Sequence, residues 1–126
     1  MIAIEAISVS FGAVLGANTR FRIFNKLEKL NLSKDYCILI INILACFSLG
    51  LSFSFIDHFS SLIYYYQIVL FFTIGFLGSL STFSSFVYDL FDLCLQWKFS
   101  RALKLFIISS SLGILAFAFA FLLVTN

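Results

Sequence analysis

Phe83 and Phe86 stand three residues apart inside the run Ser81-Thr82-Phe83-Ser84-Ser85-Phe86. On a helix that spacing puts both rings on one face, with Ser81, Thr82, Ser84 and Ser85 around them. An aromatic ring carries a positive edge. A small anion that has shed its water could rest against such edges while hydroxyls donate hydrogen bonds to it. Phenylalanine is abundant, with 18 copies, so ordinary packing against lipid or core is the competing role. Asn42 is the one strongly polar side chain in its stretch of apolar sequence. A buried amide costs several kcal/mol unless paired. Its N–H groups could bond a neighbouring helix, or donate to an anion without the full charge that would trap it.

The elements that must position these residues are transmembrane helices. The chain has 126 residues, 62% hydrophobic and only 11% charged, which leaves too little polar surface for a soluble domain. No charge lies between Tyr36 and Ile56, between Phe59 and Tyr88, or between Leu105 and Asn126. About 20 apolar residues at ~1.5 Å each cross a hydrocarbon core of about 30 Å, and each gap is long enough. The pattern predicts helices over 2–19, 36–56, 65–92 and 104–124, joined by a basic loop at 20–35, a short turn at 57–64 and a basic turn at 93–103. One all-helical domain over 1–126 uses the whole chain. Long continuous apolar runs exclude a β-barrel, whose strands alternate. No Lys or Arg precedes Arg20, against a cleaved signal peptide over the first segment.

The chain has no proline, so any helix break must come from glycine and small polar residues. The dense cluster of these is Gly75 to Phe86, in the middle of the third helix. Broken backbone at membrane depth is tolerated where it is buried in protein or lines a wet cavity; an unbroken helix with hydroxyls bonded to the preceding turn is the alternative. Ser8, Gly12 and Gly16 recur every four residues, with Arg20 one step further, and Ser109, Gly113, Ala116 and Ala120 form a similar stripe. Such stripes are packing surfaces. Cys37, Cys46 and Cys94 form no C-x-x-C pair and read as small apolar fillers. Glu5, Asp89 and Asp92 fall near span ends, so no acid is placed at depth for proton coupling. Nucleotide-binding and nucleophilic motifs are missing, and nothing suggests an enzyme.

The whole chain resembles the CrcB/Fluc family of small fluoride channels. Gly12-Ala13-Val14-Leu15-Gly16-Ala17-Asn18-Thr19-Arg20-Phe21 is similar to the family's glycine-rich run ending in Arg and an aromatic. Asn42 and Gly50 are like its Asn-containing second helix, though the intermediate glycine is replaced. Gly75-Phe76-Leu77-Gly78 with Thr82-Phe83-Ser84-Ser85-Phe86 is close to G-F-x-G-G-x-T-T-F-S-T-F, the specific motif. The resemblance implies subunits paired antiparallel with two pores. It implies Phe83 and Phe86 as the aromatic pair touching fluoride, Asn42 as the pore amide, Ser109 as the fourth helix's pore hydroxyl, and Thr82 and Ser84 beside them. It also implies a structural sodium ion held by backbone carbonyls of Gly78 and Ser81 at the break. Ser79 and Ser81 depart from the motif, which carbonyl ligation tolerates. Leu105 stands where many members have a tyrosine, leaving one pore donor unaccounted for. A small multidrug-type exporter would need a deep carboxylate, and Glu5 is too near the end; a membrane scaffold would not need the polar cluster in the third helix.

All eight Lys and Arg fall in the two loops that share a side: Arg20, Arg22, Lys26, Lys29 and Lys34 in one, Lys98, Arg101 and Lys104 in the other. The positive-inside rule puts these loops in the cytoplasm and both termini outside the plasma (inner) membrane. So strong a bias predicts one fixed orientation. An antiparallel dimer then requires a paralogous subunit of reverse bias, a homodimer being the alternative.

Overall fold

The structure, a computed structural model, describes residues 1–81 and 83–126, with the side chains of all of these except Asp57, Phe83 and Ser84. Among the described residues it is all-helical, with four helices long and apolar enough to cross a membrane: Ile2–Lys29, Lys34–Ile56, Tyr65–Leu95 and Phe99–Thr125. The first, second and fourth are α1 (Ile2–Lys29), α2 (Lys34–Ile56) and α6 (Phe99–Thr125). The third span is built from α3 (Tyr65–Val69), a π-helical stretch over Leu70–Leu77, α4 (Gly78–Leu80) and α5 (Phe83–Leu95). Ser81 leaves the helical region, at φ −93° and ψ 41°. The expected break also involves Thr82, which lies outside the described residues.

The helix ends differ from those expected. α1 runs ten residues past Thr19 and takes up most of the basic loop. Lys, Arg and Glu are strong helix formers, so hydrogen bonding continues where the apolar run stops. It ends at Leu30, with Asn31 at φ 59°, a left-handed conformation that Asn adopts more readily than most residues. α6 begins at Phe99, leaving only residues 96–98 as a connection. There Trp97 takes φ 60°. Its N–H donates to the Cys94 carbonyl (3.1 Å), and the Lys98 N–H donates to the Leu93 carbonyl (2.9 Å). That pair of bonds closes the helix as a Schellman motif.

Two close helix pairs set the packing: α1 lies on the π-helical stretch and α2 on α6. Both need glycine. A Cβ on Gly12 would fall 2.1 Å from the Phe71 carbonyl oxygen, and one on Gly50 2.4 Å from the Phe117 carbonyl oxygen. The second pair is also pinned by the Ser54 hydroxyl, which donates to the Phe121 carbonyl at 3.0 Å. Ile41, Ala45, Leu77 and Leu80 form the buried core between the pairs, with Phe24, Leu49 and Phe76 against it. Many large apolar side chains point outward, Phe11, Ile63 and Ile114 among them, as expected where the surroundings are hydrocarbon rather than water.

The two basic connections lie side by side. Lys34 pairs with Asp89 at 3.2 Å and Arg101 with Asp35 at 3.0 Å. Each bond ties the start of α2 to the elements around the third connection.

Candidate functional site

Asn42 lies in the first half of α2, half-buried. Ser109 lies on α6 and Phe86 on α5, and both are buried. Three different elements thus bring these side chains together, and with Ser81 they line one groove of 430 Å³. Phe86 is held there by stacking on Phe106, centroids 6.3 Å apart at 26°. Such a contact fixes the plane of the Phe86 ring and therefore the direction of its edge.

Among the described residues the groove lining holds no charged side chain. What it offers is one amide, three hydroxyls (Ser81, Ser109, Ser110), one thiol and the rings of Phe86 and Phe117. These are hydrogen-bond donors without a fixed positive charge. Such a set can replace part of an anion's water without holding it by a salt bridge. The lining also includes residues that sequence reasoning did not assign to a site, Cys46 and Gly113 among them. Cys46, read as a filler, is one helical turn beyond Asn42 and faces the same space. Gly113, read only as part of a packing stripe, would place a Cβ 3.2 Å from the Cys46 sulfur. The i, i+4 spacing from Asn42 was the available signal for Cys46.

Gly78 and Ser81 line a smaller neighbouring cavity of 110 Å³, bounded also by Cys46 and Leu77. Gly78 is exposed, and a Cβ built on it meets nothing within 4 Å among the described residues. Thr82, and the side chains of Phe83 and Ser84, lie outside the described residues. Arg20 sits apart from this groove. Its guanidinium donates to the Ser85 hydroxyl and lines a cavity of 660 Å³ that Lys34 and Tyr88 also border. Gly12 and Gly16 lie beneath the third span: a Cβ on Gly16 would fall 2.2 Å from the Phe76 carbonyl oxygen.

Comparison with known proteins agrees with this architecture. The family model described as CrcB-like protein, Camphor Resistance (CrcB), matches residues 7–121. The chain is 62% identical over 122 residues to "Fluoride-specific ion channel FluC 2" of Prochlorococcus marinus (strain NATL2A), covering 97% of this chain and 98% of that protein. It is 33% identical over 114 residues to "Fluoride-specific ion channel FluC 1" of Parasynechococcus marenigrum (strain WH8102), covering 90% of this chain and 88% of that protein. It is 34% identical over 114 residues to "Fluoride-specific ion channel FluC 1" of Prochlorococcus marinus (strain MIT 9313), covering 90% and 87%. With the family model matched over most of its length and four helices suited to the bilayer, the chain is a multi-pass membrane protein that belongs to the CrcB family.

Proposed function

We propose that the chain is a subunit of a fluoride-selective channel that lets cytoplasmic fluoride out passively. The observation that carries this is the convergence of Asn42, Ser81, Phe86 and Ser109 on one uncharged groove, in a family whose relatives are named as fluoride-specific ion channels. The ring edges of Phe83 and Phe86 would face the anion, with Asn42, Ser109, Thr82 and Ser84 as donors. Like those relatives, it is a conductor and not an enzyme. Hydrogen fluoride crosses membranes neutral and dissociates in a near-neutral cytoplasm, trapping the anion. A negative interior then drives it out: one charge gains about 2.3 kcal/mol per 100 mV, roughly a 50-fold concentration ratio. Purified complex in liposomes, read with a fluoride electrode, is the test. Fluoride efflux without chloride efflux is expected; equal chloride flux, or no fluoride flux from the chain with or without a paralogous partner, refutes the reading.

The working unit is an antiparallel dimer with a paralogous subunit, both termini of this chain facing outside the inner membrane. Support comes from the eight Lys and Arg confined to one end and from the ion pairs that join the two basic connections there. Within Prochlorococcus marinus, moreover, relatives carry both the names FluC 1 and FluC 2. A C-terminal reporter on the chain expressed alone tests it. Signal from both sides of the membrane, with fluoride resistance from this gene by itself, argues for a homodimer instead.

Sodium is the proposed structural ion, held by carbonyls of Gly78 and Ser81. The residues fit: Ser81 leaves helical dihedrals, which turns its own carbonyl from the helical direction, and Gly78 keeps an open face beside it. Oxygen donors without a carboxylate suit a hard monovalent cation. Full activity of the dimer in sodium-free medium would count against it.

A further inference from the structure

Asp89 is a buried carboxylate in a chain proposed to conduct an anion. It lies on α5 four residues beyond Ser85 and three beyond Phe86, and is only 7% exposed. One of its oxygens pairs with the Lys34 ammonium at 3.2 Å. The other is buried and finds no hydrogen-bond partner among the described residues. The Lys34 ammonium also lies 5.2 Å from the centroid of the Tyr88 ring, and Lys34 borders the 660 Å³ cavity together with Arg20. Arg20 in turn bonds Ser85. Two successive turns of α5 therefore each hold one cation, and both cations face the same cavity at the basic end of the molecule.

Residues three apart on a helix have Cβ atoms about 5–6 Å apart, so the Asp89 charge sits close to any anion against the Phe86 ring. At about 8 Å and an effective dielectric of about 20, an uncompensated unit charge lowers the occupancy of such an anion about 30-fold. A half-satisfied carboxylate so placed is a liability to conduction unless its charge is cancelled.

We propose that Lys34 and Asp89 form a charge-positioning pair for the anion path. Lys34 cancels the carboxylate three residues beyond Phe86, and Asp89 holds the ammonium beside the cavity that Arg20 also lines. This rests on the fluoride reading above.

The experiment is fluoride flux from liposomes at about pH 8, where carboxylates are ordinarily ionised, for the wild-type complex and for Lys34→Gln, Lys34→Arg, Asp89→Asn and the Lys34→Gln/Asp89→Asn double variant. Gel filtration checks assembly of each. Lys34→Gln should lose about tenfold or more of the flux. Lys34→Arg should stay within about threefold of wild type, and the double variant should recover at least about threefold over Lys34→Gln. A purely structural bridge predicts instead that flux follows the assembled fraction, so that the assembled Lys34→Gln complex conducts as wild type does. Unchanged flux in assembled Lys34→Gln, or a double variant as slow as Lys34→Gln, overturns the pair. If Lys34→Gln fails to assemble, the double variant decides: once assembled, flux within about threefold of Asp89→Asn supports the pair, and flux more than about threefold away from Asp89→Asn, in either direction, overturns it. Absence of flux in the wild-type complex itself overturns the fluoride reading and this inference with it.

Discussion

Gly12→Ala should destabilise the folded subunit, and Gly78→Ala should not. The added methyl on Gly12 would stand 2.1 Å from the Phe71 carbonyl oxygen, 3.0 Å from the Phe76 nitrogen and 3.1 Å from the Gly75 Cα. Ordinary contact begins at 3.4 Å, so α1 and the third span would have to part by more than an ångström at the nearest atom. All three obstacles are backbone, and no side chain can rotate away. Overpacking of this kind costs ~1–3 kcal/mol, and the rigid obstacle argues for the upper end. The better helix propensity of Ala returns about 1 kcal/mol, leaving a net loss of ~2 kcal/mol. At Gly78 the methyl meets nothing within 4 Å, and the backbone is helical at φ −61° and ψ −40°, so the isolated subunit gains up to about 1 kcal/mol. Equilibrium unfolding of the monomeric chain in mild detergent measures both. Chemical cross-linking then tests whether Gly78→Ala weakens the proposed dimer. A Gly12→Ala chain as stable as wild type, or a Gly78→Ala monomer destabilised as much as Gly12→Ala, refutes the reasoning.

Phe86→Ile should lower fluoride flux more than about tenfold with assembly retained, because an aliphatic side chain has no positive edge to offer; liposome efflux of the gel-filtered complex measures it. Ser54→Ala removes the bond from α2 to the Phe121 carbonyl and should cost ~0.6–1 kcal/mol, seen in the same unfolding assay. Trp97 is the chain's one tryptophan and is 83% exposed at the basic end. Its fluorescence should be quenched by lipids brominated near the headgroup and little by those brominated at the chain terminus. Trp97→Gly should relieve the left-handed backbone and add about 1 kcal/mol of stability.

The four spans were legible because lipid excludes charge, and the three charge-free gaps mark the interiors of α2, the third span and α6 directly. Their ends were not legible by the same signal. Arg20, Arg22, Lys26, Glu28 and Lys29 lie outside the apolar run yet inside α1, since hydropathy senses the solvent while helix propensity is local. The π-helical register over Leu70–Leu77 leaves no mark in an apolar stretch with no polar face to set a period. Asn42, Phe86 and Ser109 could each be singled out as polar or aromatic oddities, and the resemblance suggested a common pore. Their shared groove depends on how α2, α5 and α6 cross, which no local pattern states. The ion pair between Lys34 and Asp89 was invisible for the same reason: one residue belonged to a loop and the other to a helix end until tertiary packing joined them.

Gly78 differs from the other glycines of the chain. The other five glycines each have a neighbouring atom within 3.2 Å of where a Cβ would be, and four of them face a backbone atom of another helix. Those four buy close approach of helix pairs within the chain. Gly78 has no such neighbour among the described residues, although Gly in a helix gives up about 1 kcal/mol relative to Ala. It stands beside Ser81, where the helical dihedrals end, and on the rim of a cavity that reaches Cys46 and so adjoins the Asn42–Ser109 groove. A glycine at that cost on an open surface, close to a residue with non-helical dihedrals, leaves room for close approach by something outside this chain. In the antiparallel reading that something is the same stretch of a second subunit, with the proposed ion between them. The groove of one subunit and the interface between two would then meet at Gly78 and Ser81, so variants there should lose flux and dimerisation together while the isolated subunit stays folded, whereas variants of Gly12 should lose the fold of the subunit itself.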